Sequence, residues 1–330
     1  MYKIKQIPED FIVKEINNLK IENNCQYAYY ILKKINYTTI DALQVLSEKF
    51  KIPLKNFGFA GNKDRNAVTE QKISIFRGKK DFENFKFNNI KLEYLGNGKN
   101  PISLGDLEGN EFVIAIRNLR RIDIKKLKNL ENKKIRVPNF FGIQRFSKNN
   151  QLIGKSILLR DFKKAIELIL ESNGFIENKI KEYLTKNKNN YIEALRLIPL
   201  KTRKLFVHSY QSFLFNKIIK KILKENFFSN NIKIPLIGFN FEINETKNKK
   251  IKKIIKKIID EEKISPRDFV ISQVPELTSE GTFRNLFFQM NFKILEINND
   301  ELNQNKQKIR ISFTLPKSCY ATVALGFLFQ

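Results

Sequence analysis

The feature that most constrains the fold is the uneven distribution of strand-like and helix-like patterns along the chain. Alternating apolar and polar residues predict strands at Phe11–Ile16, 71–76, 111–117 and 309–314. Between about residues 158 and 295 the apolar spacing becomes mainly helical. Because strands flank this helical stretch on both sides, we expect an α+β protein in which 159–295 is inserted into a domain formed by 1–158 and 296–330.

Apolar spacing places two helices in particular. Thr39 is expected to cap a helix that runs to about Phe50. The sharper pattern is a stripe of isoleucines interleaved with lysines, formed by Ile251, Ile254, Ile255, Ile258 and Ile259. It predicts a surface helix that packs the stripe on its own domain. Phosphate contact by the lysine face is the alternative, and a membrane surface is disfavoured because the apolar face is narrow and lacks aromatic residues.

One loop carries a candidate catalytic group. Residues 58–71, GFAGNKDRNAVTEQ, place Asp64 between Lys63 and Arg65 on a glycine-flanked segment that leads into a predicted strand. Nearby positive charges favour the ionised form of a carboxylate, which can act as nucleophile, base or metal ligand. The alternative is an ordinary solvated turn, which is the usual role of such a triplet.

Several segments together resemble one protein family. Residues 58–71 match the signature G-[FY]-A-G-x-K-D-[RK]-x-A-x-T-x-Q of the TruD family of pseudouridine synthases. Residues 137–146, VPNFFGIQRF, are similar to that family's V-P-N-[YF]-F-G-x-Q-R-F motif, and residues 8–13, PEDFIV, look like its P-E-D-F-x-V segment. Further matches lie at 104–112, 209–216 and 315–322. The segments follow the family's order, so the resemblance covers nearly the whole chain.

The resemblance implies a fold and a chemistry. The fold is α+β, a pseudouridine synthase-like mixed-sheet catalytic domain with an inserted helix-rich α+β accessory domain, the TRUD domain. The activity is that of an isomerase, which detaches a uracil from its ribose and rejoins it through carbon 5. By the same resemblance Asp64 is the catalytic carboxylate. Whether it attacks C1′, attacks C6 or promotes a glycal intermediate stays open.

Four further site residues are implied by matching motif positions. Phe141 matches the phenylalanine that packs against the target base, and Asn139 matches the asparagine that orients the loop or base. Lys5 matches the basic position that pairs with the catalytic carboxylate. Tyr320 matches an aromatic position near the C-terminus, where Cys319 replaces a serine. Judged without the resemblance, Phe141 would be a core residue, Asn139 a turn residue and Lys5 a surface lysine.

Composition is compatible with a nucleic-acid partner. Lys and Arg total 61 against 34 Asp and Glu, which gives a formal net charge of +27. Such an excess attracts polyanions, although a lysine-rich composition would give the same charge with no ligand. The resemblance implies tRNA as the partner, and we expect RNA contacts from Lys63, Arg65 and Arg145.

Composition also disfavours other classes of protein. One histidine, His208, and two cysteines leave a zinc site without ligands, and we expect His208 to have a structural role. Nucleotide-binding glycine motifs, long apolar runs and an N-terminal signal pattern are not found. We therefore expect a protein that uses neither a cofactor nor a metal and does not contact a membrane. Two cysteines cannot build a disulfide framework and suit a reducing cytosol, so we expect a cytoplasmic protein, and we also expect a monomer.

The predicted function is a tRNA pseudouridine synthase that acts on a uridine, with uridine 13 of the D arm as the first choice. The alternative is a noncatalytic RNA-binding or RNA-chaperone protein on the same scaffold. A metal-dependent nuclease is disfavoured because no cluster of carboxylates accompanies Asp64.

Overall fold

The chain divides into two compact units. The computed structural model describes residues 1–23, 25–226 and 232–329. Unit 1 comprises Met1–Val137 and Gln289–Gln330, and unit 2 comprises Pro138–Phe288. Unit 2 therefore begins and ends earlier in the chain than the expected insertion of 159–295. That unit 2 is the accessory domain stays a prediction.

The secondary structure of the described residues is as follows. The strands are β1 (Phe11–Ile16), β2 (Tyr27–Ile35), β3 (Phe57–Phe59), β4 (Val68–Phe76), β5 (Lys86–Phe87), β6 (Ile90–Gly98), β7 (Gly109–Leu119), β8 (Ile135–Pro138), β9 (Lys233–Leu236), β10 (Thr282–Asn285), β11 (Phe287–Met290), β12 (Phe292–Asn299) and β13 (Gln307–Pro316). The helices are α1 (Thr39–Phe50), α2 (Arg121–Leu130), α3 (Asn150–Leu158), α4 (Phe162–Leu170), α5 (Phe175–Lys186), α6 (Tyr191–Arg196), α7 (Leu200–Lys224), α8 (Lys249–Glu262) and α9 (Ala321–Leu328).

Unit 1 is built on a mixed sheet. Within the described residues its strand order is β12-β13-β7-β1-β4-β2-β6-β5, and β3 also pairs with β4. Strand β1 runs parallel to β4, with Ile12 opposite Val68, and antiparallel to β7, with Phe11 opposite Ile114. Strand β13 pairs with β7 and places Ile311 opposite Ile114. The C-terminal strand thus joins the sheet formed by the N-terminal strands, and the α+β prediction is confirmed.

The start of α1 differs from the prediction. The N-cap is Thr38, whose hydroxyl accepts a hydrogen bond from the Asp41 N–H at 3.1 Å. Thr39 is instead the first helical residue and is buried. Further along α1, Leu43 and Leu46 pack in a core shared with residues of β2 and β4. The helix therefore covers the part of the sheet that leads into the loop of Asp64.

Unit 2 is organised around the 25-residue helix α7. Helix α3 approaches α7 so closely that a Cβ atom on Gly154 would lie 2.1 Å from the Phe206 carbonyl oxygen. Only glycine permits this approach without a shift of the backbone. The contact agrees with the assignment of α3 to unit 2, so residues 150–158 belong to this unit.

Helix α8 confirms the prediction of a surface helix. Four isoleucines of its stripe are buried in the core of unit 2 and Ile259 packs half-buried against that core, whereas Lys253, Lys256 and Lys257 on the opposite face are exposed. Asn248 caps its N-terminus by accepting hydrogen bonds from the N–H groups of Lys250 and Ile251. The lysines are therefore available to solvent, and their contact with RNA stays a prediction.

Candidate active site

Asp64 lies on the loop between β3 and β4 of unit 1, with its side chain directed outward. The side chain is 48% exposed and forms an ion pair with Lys5. The Lys5 backbone is in the left-handed region, with φ of +57°, and its carbonyl oxygen accepts a hydrogen bond from Asn66 Nδ2 at 2.9 Å. The Lys5 ammonium also lies 4.0 Å from the centre of the Phe11 ring. The expected pairing of Lys5 with Asp64 is thus present.

Lys63 and Arg65 do not flank the carboxylate as expected. The Lys63 side chain is only 6% exposed, and its ammonium lies 2.5 Å from Glu15 Oε2. Lys63 therefore points into unit 1, and its pairing with Glu15 leaves it poorly placed to contact RNA. Arg65 is exposed and donates a hydrogen bond from Nε to the Asn36 carbonyl oxygen at 3.2 Å. Of these two cations, only Arg65 remains a candidate for RNA contact.

A chain of buried polar groups supports the Asp64 loop. The Lys63 backbone N–H donates to the Thr39 hydroxyl at 2.8 Å, and that hydroxyl donates to Gln71 Oε1 at 2.8 Å. Gln71 Nε2 then donates to the Gly61 carbonyl oxygen at 3.1 Å. These bonds tie Gly61 and Lys63 of the GNKD segment to α1 and β4. Such buried bonds are costly to lose, so they hold the loop in one conformation.

Lys34 is a residue of the site that the sequence analysis missed. It is 1% exposed, and its ammonium donates to the Asp64 carbonyl oxygen at 3.1 Å and to the Tyr37 carbonyl oxygen at 2.6 Å. Burial lowers the pKa of Lys34 to about 8, although the nearby Asp64 carboxylate acts in the opposite direction. The sequence offered one signal of this burial. Every second residue of a strand lies on the same face, so Lys34 shares the buried face of β2 with Tyr30 and Leu32.

A buried charge network holds the segment that carries Lys5. Asp10 accepts hydrogen bonds from the backbone N–H groups of Gln6 and Ile7 at 3.0 and 3.2 Å. Its carboxylate also pairs with Arg117 at 2.8 Å, and Arg117 reaches Asp300 at 2.9 Å as well. Burial of the Asp300 carboxyl acts to raise its pKa, but hydrogen bonds from the backbone, Asn303 and Arg117 outweigh burial, so the pKa is lowered.

In unit 2, Asn139 and Phe141 are held by a second set of contacts. Asn139 is buried, and its Nδ2 donates to the Asn285 carbonyl oxygen at 3.0 Å while its Oδ1 accepts from Arg284. The Arg284 guanidinium also lies 4.3 Å from the centre of the Phe141 ring. The Phe141 N–H donates to Asn216 Oδ1 at 2.8 Å. Asn139 and Phe141 are therefore linked through one arginine, which the sequence analysis did not single out.

Arg145 lies close to Phe141 within unit 2. Its Nε donates to the Ser212 hydroxyl at 3.3 Å, and its carbonyl oxygen accepts from Ser209 at 2.8 Å. His208 on α7 has a lowered pKa because it is buried and because Arg145 and Lys204 are positively charged. At neutral pH this ring is uncharged, and its structural role stays a prediction.

Tyr320 lies in unit 1, directly before α9. It is the N-cap of that helix, and its carbonyl oxygen accepts hydrogen bonds from the N–H groups of Val323 and Ala324, both at 3.1 Å. The ring is half-buried. The helix start thus fixes the backbone of Tyr320, and its contact with a substrate stays a prediction.

Within the described part of the chain, no group of three or more His, Cys, Asp or Glu side chains is arranged to hold a metal ion. Among the same residues, none of the helices combines the length and the apolar character needed to cross a bilayer.

Comparisons with known proteins agree with the geometry. The chain matches the family described as TruD, tRNA pseudouridine synthase D, over residues 2–179, 170–231 and 226–326. It is 30% identical to tRNA pseudouridine synthase D of Aquifex aeolicus, over 99% of this chain and 98% of that protein. It is 31% identical to a Methanocaldococcus jannaschii protein named probable tRNA pseudouridine synthase D 2, over 98% of this chain and 90% of that protein.

A solved structure supports the same relationship. The fold superposes with a TM-score of 0.74 on the crystal structure of a Methanosarcina mazei protein described as "Putative tRNA pseudouridine synthase D (TruD)", at 28% identity, with 98% of this chain and 92% of that chain covered. The family match and the named relatives therefore define an RNA pseudouridine synthase, which is an isomerase. The chain belongs to the TruD family.

Proposed function

We propose that this enzyme converts uridine 13 in the D arm of tRNA to pseudouridine and that Asp64 is the catalytic carboxylate. The observation that carries the proposal is the state of Asp64. Its side chain is half exposed and paired with Lys5, while its own backbone carbonyl is held from beneath by Lys34. A carboxylate that is accessible but fixed in place suits a reaction at a nucleotide that enters from solvent.

The reaction requires a carboxylate of this kind but no redox cofactor. The N1–C1′ bond of the uridine breaks, a C5–C1′ bond forms, and a proton moves from C5 to N1, so the product is an isomer and no redox step occurs. Asp64 serves as nucleophile at C1′ or C6, or as the base that leads to a glycal. The target nucleotide must leave the stack, because its reacting atoms are inaccessible within a helix.

Two residues of unit 2 are assigned to substrate binding by their motif. Phe141 stacks on the flipped base, and Asn139 orients the base or the adjoining loop. Base–aromatic stacking contributes about 1–3 kcal/mol per base. The contact of Arg284 with both residues supports this assignment, because it fixes the ring and the amide together. Tyr320 is assigned to the substrate pocket by its motif alone.

The partner RNA is held mainly by charge. The formal net charge of +27 favours a polyanion, and we assign phosphate contacts to Arg65 and Arg145. Lys63 is left out of this assignment, because its ammonium is buried against Glu15. The tRNA specificity follows from the names of the relatives and is part of the proposal.

The test is incubation with unmodified tRNA transcripts, followed by pseudouridine mapping at single-nucleotide resolution. We expect one modified position, uridine 13, and no product at that position in a matched transcript with cytidine 13. Modification of another uridine would contradict the choice of position while leaving the activity intact. Binding of the transcript without any pseudouridine would favour the noncatalytic alternative.

A further inference from the structure

Lys34 combines deep burial with contact to the candidate catalytic loop. It lies near the end of β2, where Tyr30 and Leu32 on the same face belong to the hydrophobic core. Its ammonium bridges two backbone carbonyl oxygens, those of Asp64 and Tyr37. A lysine that spans a core and ends on main-chain oxygens differs from a surface lysine, because solvent does not compensate its charge.

The charges around Lys34 come from two neighbouring elements. The loop between β3 and β4 contributes the Asp64 carboxylate, which favours the ammonium form, and Lys63, which disfavours it. Helix α1 contributes Asp41, which also favours the ammonium form. Desolvation outweighs both carboxylates, so the pKa of Lys34 falls from its usual 10.5 to about 8. The group therefore titrates within the range in which an enzyme can be assayed.

We propose that Lys34 is a positioning residue for the isomerisation, whose ammonium group holds the backbone of Asp64 and places a buried positive charge beneath the catalytic loop. The inference rests on the proposed function, since it assigns Lys34 a role through Asp64. A charged donor forms a hydrogen bond roughly twice as strong as a neutral one. Loss of the proton therefore weakens the hold on the Asp64 carbonyl oxygen and removes the charge at the same time.

If Lys34 has this role, the rate of isomerisation and the stability of the fold depend on pH in opposite directions. Between pH 8 and 10.5 the folded protein binds less of the Lys34 proton than the unfolded chain, so this group makes the free energy of unfolding rise with pH. The rate of isomerisation should fall over the same range, because the ammonium form is lost. A side chain that served stability alone would not lower the rate where the protein becomes more stable.

The experiment compares Lys34→Met with Lys33→Met on the same strand. Lys33 is 41% exposed and its ammonium lies 3.2 Å from Glu93, so it is a surface control. Single-turnover rates are measured from pH 6.5 to 9.5 on a tRNA transcript, together with transcript affinity. Lys34→Met should lower the rate at pH 7 by about ten- to a hundred-fold, as for loss of a hydrogen bond to a charged group. It should also lack the decline above about pH 8 that we expect for the wild type and Lys33→Met.

Two results would overturn the proposal while the proposed function stands. One is a Lys34→Met protein as fast as the wild type at pH 7, and the other is an unchanged high-pH decline in that variant. If Lys34→Met fails to fold, NMR titration of 13C-labelled lysines in the wild type decides. A pKa of the Lys34 ammonium that coincides with the midpoint of the decline in rate supports the role. A difference of more than about one pH unit between that pKa and that midpoint refutes it. Absence of any pseudouridine with wild-type protein would instead contradict the proposed function.

Discussion

The buried network around Arg117 gives a prediction whose size can be worked out from the structure. Asp10→Ala removes the carboxylate that pairs with Arg117 at 2.8 Å and that accepts the N–H groups of Gln6 and Ile7. Breaking a buried ion pair by removing one partner costs about 3–5 kcal/mol. Arg117 keeps its ion pair with Asp300, so we expect the free energy of unfolding to fall by about 3 kcal/mol, near the lower end of that range.

The loss should be measured by hydrogen exchange of the β1 and β7 amides, because the chain has two units and a global unfolding curve would mix them. Glu9→Ala is the matched control. Glu9 is the exposed neighbour of Asp10, and its removal should change the free energy of unfolding by less than about 0.5 kcal/mol. A loss below about 1 kcal/mol in Asp10→Ala would refute the reasoning, since the network would then not stabilise the sheet.

Three further predictions concern the pocket, the charge and the pH. Phe141→Ala should lower turnover by about ten- to a hundred-fold with nearly unchanged tRNA affinity, and Phe141→Tyr should be milder; full activity of a folded Phe141→Ala protein would remove the ring from the site. The affinity for tRNA should fall log-linearly with salt concentration. Arg145→Gln should reduce the affinity and the salt slope more than the combined change of Lys252, Lys253, Lys256 and Lys257 to Gln. The reverse ranking would assign the main RNA contact to α8. Hydrogen bonds from Arg117 and Lys308 lower the pKa of Glu301 to about 2, so unit 1 should lose stability as the pH falls from 4.5 towards 2. In acid denaturation, Glu301→Gln should flatten this dependence of stability on pH. An equally steep curve would show that Glu301 does not contribute.

The parts of the fold that follow local periodicity were predictable. The strand at Phe11–Ile16 and the isoleucine stripe of α8 follow from the spacing of apolar residues alone. The cap of α1 was assigned one residue late, because Thr38 and Thr39 are both good caps and only backbone geometry separates them. The place of α3 in unit 2 was missed, because it depends on the approach of α3 to α7 at Gly154, which is a long-range packing contact.

The candidate site also has parts that the sequence predicted and parts that it did not. The motif located Asp64 and its partner Lys5, although 59 residues separate the two in sequence. The directions of Lys63 and Arg65 could not be read from their order, because consecutive loop residues need not point the same way. Lys63 points inward because its ammonium pairs with the buried carboxylate of Glu15 on β1. Arg117 likewise meets Asp300 across 183 residues, and pairings of that range come from the sheet topology.

The most direct test of the central claim is the single-turnover formation of pseudouridine by Asp64→Asn. This change keeps the size of the side chain and removes the negative charge. A matched control is Asp81→Asn, which alters an exposed carboxylate outside the site. We predict no detectable pseudouridine with Asp64→Asn, a tRNA affinity close to that of the wild type, and wild-type activity with Asp81→Asn. Turnover by Asp64→Asn near the wild-type rate would contradict the assignment of Asp64 as the catalytic carboxylate.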